Sequence, residues 1–170
     1  MAAGLRRNLE LKARSRDLAR AQRVCEGLGA EDRGTLVQRD TYFEVSRGRL
    51  KLREEPGGAQ LIAYERPDLA GQKESRYRLV EVPELAGLRE ALAETLGIRV
   101  VVSKERRLFL FEGVRIHLDR VDGLGDFIEF EGVAAADEDL GRFEALLVEL
   151  RDAFGILDAD LVAASYSDLL

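Results

Sequence analysis

Leu9, Leu11 and Ala13 alternate with Asn8, Glu10, Lys12 and Arg14. The same rhythm returns where Leu50 and Leu52 separate Arg49, Lys51 and Arg53, and where Ile116 and Leu118 separate Arg115, His117 and Asp119. Phe130 likewise separates Glu129 from Glu131. A β-strand points successive side chains to opposite faces, so each of these segments has one apolar and one ionic side. Strands are predicted near 6–14, 34–45, 48–54, 59–66, 75–82, 98–112, 114–122 and 126–133, with turns at Pro56-Gly57-Gly58, Asp68 to Gly71, Gly113 and Gly123-Leu124-Gly125. Helical spacing starts a helix after Asp17, with Leu18, Ala21, Val24, Cys25 and Leu28 on one stripe and Gly29 as its stop. A second helix is predicted over 84–96, where Leu85, Leu88, Leu92 and Leu96 share a face. The tail reads as helical over 138–154 and again over about 158–169.

Eight strands joined mostly by tight turns predict an α+β protein whose antiparallel sheet curls or closes into a barrel. Two arrangements fit the alternation. In one, the charges form the wet outer face of an ordinary sheet, the commoner use of such a pattern. In the other, the helices bury the apolar face and the charges line a lumen.

A chain of 170 residues is expected to form one domain over 1–170. No apolar run approaches the ~20 residues of a membrane span, and no signal-peptide segment stands at the N-terminus. A cytoplasmic protein without membrane association is expected. The lone Cys25 lies on a helical apolar stripe and reads as core rather than nucleophile. The net charge of −6 is local: residues 137–160 carry eight acids against Arg142 and Arg151. An acidic chain whose bases sit on strands lacks the broad basic surface that nucleic acid requires. It suits a small polyanion in a confined site.

By parity the inward set comprises Glu10, Lys12, Lys51, Arg53, Lys104, Arg106, Arg115, Asp119, Glu129 and Glu131. Glu10, Asp119, Glu129 and Glu131 are hard oxygen donors for Mg²⁺ or Mn²⁺. The lysines and arginines are phosphate partners. Either set alone would repel itself in a partly desolvated cavity, whereas both balance around a metal-bound polyphosphate. There is no Walker-type loop, and one histidine cannot build a zinc site. His117, between Arg115 and Asp119, is either an acid or base near neutral pH or, the favoured reading, a neighbour that orients Asp119.

Six segments in order resemble the CYTH family of triphosphate tunnel metalloenzymes, which includes class IV adenylate cyclases and thiamine triphosphatases. They are Asn8 to Lys12, Gln38 to Phe43, Arg49 to Arg53, Lys104 to Arg106, Arg115 to Asp119 and Glu129 to Glu131. The stretches Arg115 to Asp119 and Gly123 to Glu131 look more like the class IV cyclase branch than the thiamine triphosphatase branch. The resemblance implies an eight-stranded antiparallel tunnel with a charged lumen. It implies metal ligation by Glu10, Asp119, Glu129 and Glu131, with Glu10, Lys12 and Asp119 at the reacting centre. It implies phosphate contacts from Lys12, Lys51, Arg53, Lys104, Arg106 and Arg115, with Lys73 and Arg76 as further candidates. The implied activity is cyclisation of ATP to cyclic AMP and pyrophosphate, or hydrolysis of ATP, inorganic triphosphate or thiamine triphosphate. Family members are often homodimers, so a homodimer is also expected. The family's first motif glutamate is Asn8 here, a neutral donor, which leaves open a protein that binds a triphosphate without turning it over.

Overall fold

The computed structural model describes residues 4–170. Eight antiparallel strands close into a barrel: β1 (Arg6–Arg14), β2 (Glu31–Phe43), β3 (Arg49–Glu55), β4 (Gly58–Glu65), β5 (Lys73–Glu81), β6 (Ile98–Phe111), β7 (Val114–Val121) and β8 (Gly125–Ala135). Around the ring they run β1-β5-β4-β3-β2-β6-β7-β8. Helix α1 (Leu18–Gly27) starts where the Asp17 side chain accepts from the Arg20 amide, and α2 (Leu85–Leu96) starts where Glu84 caps Gly87. Helix α3 (Gly141–Phe154) ends at Gly155, in the left-handed conformation glycine tolerates.

The apolar faces of β1, β7 and β8 point outward and are buried by helices. Leu9, Leu11, Ile116, Leu118, Ile128 and Phe130 pack with Ala21 and Cys25 of α1 and with Phe143, Leu147, Leu150 and Phe154 of α3. Cys25 is fully buried and its thiol is pushed up to about 12 by burial, as a core position should be. A Cβ on Gly132 of β8 would come within 2.4 Å of the Phe143 ring, so glycine is what lets α3 lie on the strand. With greasy residues outside, the charged residues face in. The lumen reading holds and the wet-sheet alternative does not.

Two boundaries differ from the prediction. Strand β2 begins at Glu31, because Gly34, at φ +84° and donating to Asp32, carries a bulge between Asp32 and Thr35. Residues 158–169 do not form one helix. Asp158–Asp160 make a single 3₁₀ turn, Leu161 bridges Ala13 of β1, the Val162 amide donates to the Lys12 carbonyl, and only Tyr166–Leu169 (α4) turn helically. Pairing with β1 outcompetes helix propagation there. It also carries Tyr166 under one end of the barrel, where it joins Tyr42, Val102, Val121, Phe127 and Val162 in an apolar plug.

Candidate active site

The plug makes the tunnel a cup. Its cavity, about 250 Å³, is lined by inward positions from all eight strands and by Ser165 and Tyr166 of the plug.

On the β1–β8–β7–β6 side, acids and bases neutralise one another in pairs. Lys12 Nζ lies 3.1 Å from Glu129 and 3.9 Å from the centre of the Tyr166 ring. Arg106 grips Asp119 through two bonds of 2.7 and 2.6 Å and also approaches Glu129 at 3.4 Å. Burial works against the charges of Asp119 and Glu129. Arg106 outweighs it at Asp119, taking that carboxyl down to about 2, and Lys12, His117 and Arg106 outweigh it at Glu129, which stays well below the usual range. Glu10 is different: burial and the nearby Glu129 raise its pKa against the pull of Arg66 and Lys12.

On the β2–β3 side, Asp40 is the hub. Its carboxylate accepts from Arg53 at 2.8 and 2.7 Å, from Lys51 at 3.1 Å and from Lys104 at 3.5 Å. Those three cations overcome burial and hold Asp40 well below the usual carboxylate range. Burial pushes Lys104 well below the ordinary lysine range despite Asp40, with Arg106, Arg53 and Lys51 adding to the push. One carboxylate shared by three cations leaves an excess of positive charge facing the cavity.

Of the residues singled out from sequence, Glu10, Lys12, Lys51, Arg53, Lys104, Arg106, Arg115, Glu129 and Glu131 line this cavity. Three others do not. Arg76 pairs in register with Arg7 on the outer face and bonds to Glu74 outside the barrel. Lys73 has inward parity, but its ammonium donates to the Leu69 and Val162 carbonyls at the plugged end. Asp119 is 0% exposed: it has inward parity but is buried at the plugged end beneath the cavity, held by Arg106 and by the Tyr166 hydroxyl at 2.8 Å. His117 bonds through Nδ1 to Glu129 at 3.1 Å, so the carboxylate it orients is Glu129 rather than Asp119. Burial and Arg106 lower its pKa, leaving a neutral imidazole at pH 7.

Three site residues escaped the sequence reading. Asp40 lay within a recognised segment without a role. Tyr166 lay in the misread tail. Arg66, whose side chain is 4% exposed and bonded to Glu10, follows β4 at the parity of Gln60, Ile62 and Tyr64. Extending that alternation through the residue before Pro67, which is biased toward extended backbone, would have found it.

The donor set suits a hard cation in kind. Glu10, Glu129 and Glu131 neighbour one another on β1 and β8, and the Oδ1 of Asn8 is buried without a hydrogen-bond partner while its Nδ2 donates to Glu131. Among the described residues no three acidic, histidine or cysteine side chains are grouped closely enough to hold a metal, and Glu129, Glu10 and Glu131 are engaged by Lys12, Arg66 and Asn8 respectively. No described helix is long and apolar enough to cross a membrane.

The architecture matches solved structures along nearly the whole chain. The PH1012 protein of Pyrococcus horikoshii is 25% identical and superposes with a TM-score of 0.83, over 96% of this chain and 99% of that one. A candidate adenylate cyclase from Vibrio parahaemolyticus is 20% identical, with a TM-score of 0.75 over 95% and 96%. HpAC1 of Hippeastrum, reported with a dominant triphosphatase activity, is 18% identical, with a TM-score of 0.64 over 95% and 93%. No curated protein sequence matches the chain. The CYTH domain profile matches residues 6–166, and by that match over a closed barrel with an ionic lumen the chain belongs to the CYTH family.

Proposed function

We propose that this protein is a metal-assisted enzyme that breaks a phosphoanhydride bond of a triphosphate held in the barrel, with water as the first candidate nucleophile. The observation that carries this reading is the cup itself: cations in excess around Asp40, facing carboxylates on β1 and β8 that are tied up only by exchangeable partners. Phosphate oxygens compete for Lys12, Lys51, Arg53, Lys104, Arg106 and Arg66, giving charge-assisted bonds, bidentate where arginine donates. The cations that move to phosphate release carboxylates. Glu10, Glu129, Glu131 and the free carbonyl of Asn8 would then hold Mg²⁺ or Mn²⁺, which supplies further charge neutralisation at the phosphate oxygens.

Hydrolysis is favoured by the His117–Glu129 pair. With Nδ1–H directed at Glu129, the Nε2 of a neutral imidazole is left to accept a proton in the lumen. A water attacks the γ-phosphorus, the bond to the β,γ-bridging oxygen breaks, diphosphate leaves with that oxygen, and the water proton passes to Nε2. Catalysis is mostly positioning and charge stabilisation. The second reading uses the same lumen with the ribose 3′-hydroxyl of ATP attacking the α-phosphorus and pyrophosphate leaving, and is supported by the resemblance of Arg115 to Asp119 and Gly123 to Glu131 to the cyclase branch.

Incubating the protein with Mg²⁺ or Mn²⁺ and ATP, inorganic triphosphate or thiamine triphosphate separates the outcomes. Orthophosphate release is the expected result. Cyclic AMP with pyrophosphate would select the second reading. Thermal stabilisation by these ligands without product would leave a binding protein, the consequence of Asn8.

A further inference from the structure

Lys104 is poorly compensated for a buried cation. It is 4% exposed, and its contact with Asp40 is long, at 3.5 Å, while Arg53 and Lys51 hold the same carboxylate more closely. Arg106, Arg53 and Lys51 add repulsion to the burial that already opposes its charge. Lys12, three strands away around the ring, has Glu129 at 3.1 Å. What the two lysines share is the ring of Tyr166. Its centre lies 3.9 Å from Lys12 Nζ and 5.3 Å from Lys104 Nζ. Both distances fall inside the roughly 6 Å over which the negative face of an aromatic ring attracts a cation.

A ring acts on a lysine differently from a carboxylate. A carboxylate claims the N–H donors, and an incoming phosphate has to displace it. A ring face steadies the ammonium and leaves its three donors to be used elsewhere.

The Tyr166 ring is itself held in place. Its hydroxyl donates to Asp119 at 2.8 Å, and Asp119 is gripped by Arg106. Phe127 meets it edge to face, with ring centres 4.9 Å apart. The backbone is tied down on both sides. Before it, the Val162 amide donates to the Lys12 carbonyl at 2.9 Å and the Val162 carbonyl accepts from Lys73 at 3.0 Å. After it, Asp168 accepts from Arg49 at 2.9 Å and from Arg99 at 2.8 Å. Strands β1, β5, β3 and β6 thus anchor a segment with little regular structure of its own. Filling the plug requires bulk alone, whereas this anchoring fixes one ring beneath two lysines.

We infer that Tyr166 is a positioning residue, whose ring holds the Lys12 and Lys104 ammonium groups at the floor of the cup with N–H donors left for phosphate. This rests on the triphosphate reading and adds the C-terminal segment to the machinery of the site.

Calorimetric titration of the full chain with inorganic tripolyphosphate and Mg²⁺ tests the assignment. Tyr166→Phe keeps the ring and loses the hydroxyl. The same phenylalanine carrying one, two or three ring fluorines, introduced as a non-natural amino acid, keeps nearly the same shape while electron density is drawn off the ring face. Tyr166→Phe is expected to bind tripolyphosphate within about threefold of the wild type. Affinity should then fall with each fluorine, to about tenfold below Tyr166→Phe at the third, while thermal melts move little. A flat fluorine series, or a loss in Tyr166→Phe larger than that across the whole series, would overturn the positioning role and leave the triphosphate reading standing. A wild type that binds no tripolyphosphate would overturn the triphosphate reading itself.

Discussion

On one side of the barrel, β1, β7 and β8 press Leu11, Ile116 and Phe130 against α1 and α3; on the other, α2 lies over the β2 side without burying any of its own side chains. Val37 and Val80, on the outer faces of β2 and β5, stay half exposed. The two sides also differ in charge. The heavily packed side carries four carboxylates, Glu10, Asp119, Glu129 and Glu131, interleaved with Lys12, Arg106 and Arg115, and the lightly covered side carries Lys51, Arg53 and Arg66 around fewer acids. Holding carboxylates close together is unfavourable, so they sit where apolar burial by two helices fixes the backbone. The basic side needs no such frame, because its cations gather around one acid, Asp40.

That contrast can be broken from both directions. Phe130→Ala empties the packed side and is expected to cost about 3–5 kcal/mol in urea unfolding, whereas Leu88→Ala on α2 should cost less than about 1 kcal/mol. Equal losses would mean that the two sides are supported alike. Next in size, Glu129→Gln keeps the shape of the side chain but removes the charge that Lys12, Arg106 and His117 share, and turnover should fall at least about a hundredfold with an unchanged circular dichroism spectrum. Lys51→Ala should weaken tripolyphosphate binding by about tenfold while stability changes little, since Asp40 keeps Arg53. Full turnover in the first variant or unchanged binding in the second would remove that residue from the site.

The smallest effect concerns pH. Burial, with Arg66 nearby, depresses Lys73 to about 8, below the roughly 10.4 of an unfolded lysine. Between these values the unfolded chain binds more protons, so Lys73 makes stability rise as the pH goes from about 8 to about 10. Lys73→Met should flatten that rise in a series of thermal melts. An unaltered slope would show that another group is responsible.

Much of this was legible because alternation is local. Each strand announces its two faces, and the parity of β1, β3, β7 and β8 alone placed Glu10, Lys12, Lys51, Arg53, Arg115, Glu129 and Glu131 in the cavity. Lys104 and Arg106, whose neighbours Glu105 and Arg107 are also charged, were less decided by pattern, and the β6–β7 register settles them inward. Parity cannot say which inward charge is already spent. Asp119 satisfies parity and is consumed by Arg106 and Tyr166; Lys73 satisfies it and is consumed by carbonyls. The tail was misread because Phe143, Leu147 and Leu150 do set a helical stripe up to Phe154, whereas the course of the next residues is set by a long-range pairing to Ala13 and Lys12. Local spacing carries no record of such a partner. Arg76 failed for the simplest reason: it stands one residue out of phase with Ser75 and Tyr77, which do face the cavity.

The central claim is that the barrel interior, and no other surface, receives a polyphosphate. Titrating Mg²⁺-tripolyphosphate into the wild type and into the Lys51→Ala/Arg53→Ala variant by calorimetry addresses it directly. Saturable one-to-one binding in the first, reduced at least about a hundredfold in the second, is the predicted result. Absence of binding, or binding that the double variant leaves intact, would contradict it.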